Sequence, residues 1–258
     1  MFLSKPGEYP PCGMFNFRHL TLFIITIIGV IFAVNHTRIK EKSDVKKIIR
    51  IITVIVWVLE ILKIIFNFIV GNGRNVNKVV PLYYCSLLLY SGFLSSIGKG
   101  VIQRVGDVFL ATGGIVGGLV FLIFPTTSLP EYPMFHFLSL HSFFFHGTMI
   151  YLGIIINKIK YIEIKFSDLK YYACLVFVIC IAAYIVNSIC GSNLMFISQD
   201  FPGTPITIIY KLTGKLFPII MSLAQMTLPF LLVYGVLNYN YYISKILKKY
   251  CIKKMNMI

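Results

Sequence analysis

Charged residues are scarce in this sequence, and acidic ones scarcest. Of 258 residues, 9 are Asp or Glu and 24 are Lys or Arg, and charged side chains make up 13% of the chain. Soluble domains carry about 25% charged and about 45–50% apolar residues; here the apolar share is 57% and the mean hydropathy is +0.82. One soluble core cannot hide that excess, which excludes an ordinary globular domain. Strands of about ten residues with alternating polarity are also missing, which excludes an outer-membrane barrel. The six cysteines, Cys12, Cys85, Cys174, Cys180, Cys190 and Cys251, form no CxxC pair and no zinc-site or disulfide spacing. They read as small apolar helix residues. The first apolar run has no small-x-small cleavage signal, so it reads as retained rather than as a signal peptide.

What remains is an all-α, polytopic transmembrane bundle. After an irregular lead-in over 1–16, long apolar runs predict spans at 17–34, 48–70, 79–97, 105–124, 134–157 and 169–190. A less regular last span lies within 208–239, where Pro218 and Pro229 predict kinks. This is one seven-helix domain over 17–239, followed by a basic tail over 240–258. Pro81 falls in the first turn of the third span, where proline is tolerated. The segment Gly113, Gly114, Gly117, Gly118 permits close helix approach in the fourth.

A net charge of +15 on a soluble protein would point to nucleic acid. Here the basic residues lie between apolar runs, so no nucleic-acid partner is expected and the charge reports orientation. Seventeen of the 24 fall on one side of the seven-span reading and six on the other. The positive-inside rule then puts the N-terminus outside and the C-terminus in the cytoplasm of a multi-pass cell-membrane protein in contact with phospholipids.

Three of the five histidines, His136, His141 and His146, fall in the apolar stretch 135–151, FHFLSLHSFFFHGTMIY. Ionisable groups at membrane depth mark a site unless they are satisfied structurally. On a regular helix His141 and His146 point about 140° apart, so one helix cannot aim both at the same small site. The same spacing argues against a metal held by these histidines alone; paired histidines holding haem iron are a rival reading. Cys85 lies about 9 Å into the third span, His141 about 10 Å and His146 about 18 Å into the fifth, so depth pairs Cys85 with His141. A thiol with an imidazole is a nucleophilic pair. Glu60, Lys63 and Asn67 share one face of the second span. They read either as a self-neutralising pair or as the wall of a polar cavity. Asn67, Asn187, Ser188 and Asn193 are candidate oxyanion or headgroup donors.

The segments VVPLYYCSLLLY, the Phe124-Pro125 break, LSLHSFFFHG and GSNLMFIS resemble the YwaF-type bacterial integral membrane proteins, relatives of the eukaryotic transmembrane protein 164, over about 19–239. His19 and Glu60 also fall where that pattern has polar residues. The resemblance implies an acyltransferase acting on phospholipids or lysophospholipids, with Cys85 as nucleophile and His141 or His146 as its base; the His-Gly dipeptide favours His146. No cofactor is implied. The sequence departs from the pattern at Val80, where leucine is usual, and at Tyr83 and Tyr84, where a histidine is often found. The alternative is a carrier or lipid-binding scaffold using Glu60, Lys63, Asn67 and the histidines, although no inverted repeat supports a typical secondary transporter. Cys85→Ser cripples an acyl enzyme and spares a carrier; Glu60→Gln does the reverse.

Overall fold

The computed structural model describes residues 1–255, with side chains described through residue 239. Among these residues there are ten α-helices. Helix α1 (Phe17–His36) starts where the Asn16 carboxamide accepts from the His19 N–H at 3.0 Å. Helix α2 (Lys42–Ile69) starts where the Asp44 carboxylate accepts from the amides of Lys40 and Glu41. Both caps place an oxygen on amides that have no partner inside the helix.

The stretch expected as one span over 79–97 is broken. A four-residue helix, α3 (Val76–Val79), is followed by non-helical chain to Ser86 and then by α4 (Leu87–Ile97). Proline lacks an N–H and pushes the residue before it into an extended conformation. Val80, at φ −95° and ψ 118°, has yielded to that push, so Pro81 ends a helix here instead of opening one. The freed backbone finds partners nearby: the Tyr90 hydroxyl donates to the Pro81 carbonyl at 3.0 Å, and the Ser86 hydroxyl accepts from the Tyr83 N–H. At membrane depth, irregular chain survives only where it is satisfied in this way or lines a cavity.

Helices α5 (Gly100–Ala111) and α6 (Gly113–Ile123) meet at Thr112 and together make one crossing stretch. Helix α7 (Phe137–Lys158) carries the histidines, with the His136 ring capping its first turn through Leu138 N–H. Helix α8 (Leu169–Cys190) ends at Gly191, whose φ of +64° suits glycine. Helix α9 (Ile206–Thr213) leads through a turn into α10 (Phe217–Met255). Pro218 sits in the first turn of α10, and the helix continues through Pro229. The expected tail continues α10 as far as Met255; residues 256–258 lie outside the described residues. Five stretches, Phe17–His36, Gly100–Ile123, Phe137–Lys158, Phe166–Cys190 and Ile206–Tyr239, are long and apolar enough to cross a bilayer, as in a multi-pass membrane protein.

The α5–α6 stretch and α7 form the buried centre, and α1, α8 and α10 form a rim rich in exposed apolar side chains. Helix α6 lies on α7 because Gly118 has no side chain: a Cβ there would stand 2.7 Å from the His146 carbonyl oxygen and 2.6 Å from Ile150. In lipid such backbone approach replaces the hydrophobic drive available in water. Gly118→Val is expected to destabilise the protein by about 2–3 kcal/mol, read as a lower melting temperature in detergent. Gly29→Ala is the control, because its Cβ would meet nothing within 4 Å.

The connections gather at the two ends of the bundle. At one end Arg104 grips Asp168 with two nitrogens, and Lys46 reaches Gln103 and the Gly98 carbonyl. At the other end the irregular lead-in is pinned to the 125–136 loop: Cys12 N–H donates to Tyr132 O, Gly13 N–H to Leu129 O, and the His136 ring to Ser4 O. Lys78 pairs with Glu131, and Asn77 accepts from the Asn193 N–H at this same end.

Candidate functional site

A cavity of about 540 Å³ opens at the end where the lead-in, the 70–79 segment and the 125–136 loop meet. Helix α2 supplies Glu60, Lys63 and Asn67 to its wall, the broken segment Tyr83 to Ser86, α6 Gly117 and Phe121, α7 His141, Ser142 and His146, and α10 Gln225. Cys85, His141, His146, Glu60 and Asn67 thus line one space. The expectation that α7 cannot aim two histidines at one small site meets a space that is not small. His141 faces α2, with Nε2 3.9 Å from Glu60 Oε2, while His146 lies flat against Phe121 of α6 with ring centroids 3.6 Å apart.

The hydrogen bonds separate the four buried histidines. In His19 and His136 both ring nitrogens are engaged by backbone. His19 Nε2 donates to the Leu122 carbonyl and Nδ1 accepts from the Phe15 N–H. His136 Nε2 donates to Ser4 O and Nδ1 accepts from Leu138 N–H. Each is a neutral imidazole fully used in holding loops and helices together, and neither lines the cavity. His141 has no hydrogen bond at either nitrogen. His146 Nδ1 contacts the Ser142 carbonyl at 2.6 Å. A carbonyl only accepts, so Nδ1 carries the proton and Nε2 keeps its lone pair.

Cys85 occupies the turn that leads into α4, two residues before the first helical residue. The next N–H groups are spoken for, Ser86 by Tyr83 O, Leu87 by Tyr84 O and Leu88 by Cys85 O. The amides of Tyr84 and Cys85 donate to no backbone or side-chain oxygen among the described residues. The Cys85 and Ser86 amides approach the sulfur at a helix N-terminus, where the backbone dipoles favour negative charge. Tyr84 itself is fixed, its hydroxyl 2.6 Å from that of Tyr172, which donates on to Gln225 O. No hydrogen bond joins Cys85 to either histidine.

Glu60 is buried and ion-paired with Lys63 at 2.5 Å; Lys63 retains 25% of its side-chain exposure, toward the cavity. Asn193 is absent from the lining. Its carboxamide accepts from Ser198 and Gln199 N–H and donates to Gln199 O, and Asn187 makes an equivalent knot with Ser192, Leu194 and Ser198. Ser188 is exposed and bonded to Tyr184 O. Of these three, expected as donors to a reacting group, Asn187 and Asn193 shape the 191–199 loop, and Ser188 stays on its own helix. The sequence reading missed the unwound segment before α4, although Val80-Pro81 was its signal, and it missed the loop residues Ser128, Glu131 and Tyr132, which line the mouth. Among the described residues no group of three or more His, Cys, Asp or Glu side chains is placed to hold a metal ion.

A family model described as the TMEM164 family matches residues 14–241 of the chain. Neither the curated proteins nor the solved structures gave a match.

Proposed function

Because this chain belongs to the TMEM164 family, we propose that it is a membrane acyltransferase that carries an acyl group from a phospholipid to a lysophospholipid on Cys85. One observation carries this reading: of the four buried histidines, only His141 and His146 keep a ring nitrogen free, and both line the same cavity as Cys85.

His146 is the base, because its Nδ1 bond to Ser142 O leaves the Nε2 lone pair for the thiol proton. Nε2 takes that proton, and the thiolate adds to the ester carbonyl of the donor lipid. The carbonyl oxygen becomes an oxyanion beside the N-terminus of α4, where the backbone dipoles favour negative charge. Collapse breaks the acyl–oxygen bond, and the departing lysolipid alkoxide takes the proton back from Nε2. The acyl group is then a thioester on Cys85. In the second half the hydroxyl of a lysolipid acceptor gives its proton to Nε2 and attacks the thioester, and the thiolate leaves and is reprotonated. The apolar wall of Val116, Val120 and Phe121 takes the acyl chain. Lipid enters from the outer leaflet in the orientation set by the basic loops.

Intact-protein mass spectrometry after incubation with a labelled phospholipid in liposomes tests this. The expected result is a hydroxylamine-sensitive gain of one acyl mass in the wild type and none in Cys85→Ala. A gain that survives in Cys85→Ala would overturn the thioester. A second reading, a carrier, is favoured by the buried Glu60–Lys63 pair beside His141 in an open cavity. It predicts uptake activity that Glu60→Gln abolishes and Cys85→Ala leaves intact.

A further inference from the structure

The mouth of the cavity holds buried polar atoms with nothing to bind. The Ser128 hydroxyl, the Tyr132 hydroxyl and Asn67 Oδ1 have no hydrogen-bond partner, belong to residues at most 2% exposed, and all three residues line the cavity. Buried polar groups are otherwise almost always satisfied, so three at one mouth call for a ligand. Beside them Lys78 and Glu131 form an ion pair at 2.5 Å that is partly open to solvent, and both line the same mouth. Ser128, Glu131 and Tyr132 belong to one turn, in which the amides of Glu131 and Tyr132 both donate to the Ser128 carbonyl. Phe66, next to Asn67, packs with Tyr132 in one apolar cluster, which brings the end of α2 to that turn.

We infer that this mouth is a subsite for the zwitterionic headgroup of a phospholipid, with phosphate on Lys78, Ser128 and Tyr132 and ammonium on Glu131 and Asn67. The inference rests on the acyl-transfer reading for the role of the lipid and on the mouth alone for its binding. The sorting follows from donors and acceptors. Lys78, Ser128 and Tyr132 bring hydrogens to anionic oxygens, and Glu131 and Asn67 Oδ1 bring oxygens to a cation. Burial and the neighbouring Glu131 push the Tyr132 hydroxyl up to about 12, which keeps it a donor at neutral pH. A purely anionic group would leave Glu131 facing it with like charge. A zwitterion exchanges the internal ion pair for two external ones and leaves no charge over. Lys63, one helical turn or about 6 Å along α2 from Asn67, then meets the lipid below its phosphate.

The test uses the purified full chain in nonionic detergent with equal amounts of phosphatidylethanolamine, phosphatidylcholine, phosphatidylglycerol and diacylglycerol of identical chains, retained lipid being read by native mass spectrometry. The zwitterionic lipids are expected to be retained about tenfold over the other two. Tyr132→Phe, which keeps the ring stacked on His136, and Lys78→Gln are each expected to lower that preference about tenfold. Cys85→Ala leaves it unchanged. Equal retention of diacylglycerol, a preference for phosphatidylglycerol, or wild-type selectivity in folded Tyr132→Phe would overturn the subsite. Soluble glycerophosphoethanolamine should compete weakly; competition equal to that of lipid would make the ligand a free phosphodiester and overturn the lipid assignment. An acyl adduct on Cys85 without headgroup selectivity would reject the subsite and keep the enzyme. Selectivity without an adduct would do the opposite.

Discussion

His146→Gln is expected to lower acyl transfer by about 10³-fold while the protein stays folded. A positioned general base contributes about 10²–10⁴-fold, and the His146 ring is held in place from two sides. Its Nδ1 bond to Ser142 O fixes the tautomer, and Phe121 stacked at 3.6 Å fixes the ring plane. Glutamine fills similar space and can still donate to the Ser142 carbonyl, so packing is largely kept. The measurement is the single-turnover rate of acyl loading, with the melting temperature as control. His141→Gln is expected to fall less than tenfold, since the geometry gives that ring no fixed tautomer. The reverse order of the two losses would move the base to His141 and agree with the depth argument drawn from the helix starts.

The second large effect is on stability. Glu60→Gln is expected to destabilise the protein by about 2–3 kcal/mol, because it leaves Lys63 without its counter-ion in a low-dielectric setting. Breaking a fully buried pair costs about 3–5 kcal/mol. The lower figure applies because Lys63 still reaches the cavity. Glu60→Gln combined with Lys63→Met removes both charges and should restore the melting temperature. Acyl transfer in the double variant is expected within severalfold of wild type. A stable double variant with no transfer would bring Glu60 into the chemistry, most directly through His141 Nε2 at 3.9 Å.

Much of this architecture was legible in the chain because lipid imposes simple rules. Polar residues in an apolar run are conspicuous, which is why Glu60, Cys85, His141 and His146 stood out. The break before α4 was not legible, because Pro81 near the start of an apolar run is equally compatible with opening a helix and with preventing one. What decides is whether the unwound backbone finds partners, and Tyr90 and Ser86 are there to satisfy it. The spacing argument on α7 assumed a small site, and no periodicity reports the size of a cavity. His19 and Asn193 drew attention for the same reason as the cavity residues, being polar near helix ends, but hydrogen bonds to backbone absorb them, remote for His19 and within its own loop for Asn193. Ser128, Glu131 and Tyr132 were invisible for the opposite reason. A loop of common polar residues has no pattern, and only the fold reveals that it returns over the end of α2.

The bond from His19 to the Leu122 carbonyl bears on how any genetic screen of this protein should be interpreted. That carbonyl belongs to the last turn of α6, where helix carbonyls lack partners of their own. One turn of the same helix also carries Phe121, the plate on which His146 rests. A strain selected for loss of activity is therefore expected to yield His19 alleles beside His146 alleles, in a residue that does not line the cavity. Temperature is expected to sort the two classes: on the proposed function, His19 alleles should regain activity at lower growth temperature, where the fold is less stressed, and His146 alleles should remain inactive at every temperature.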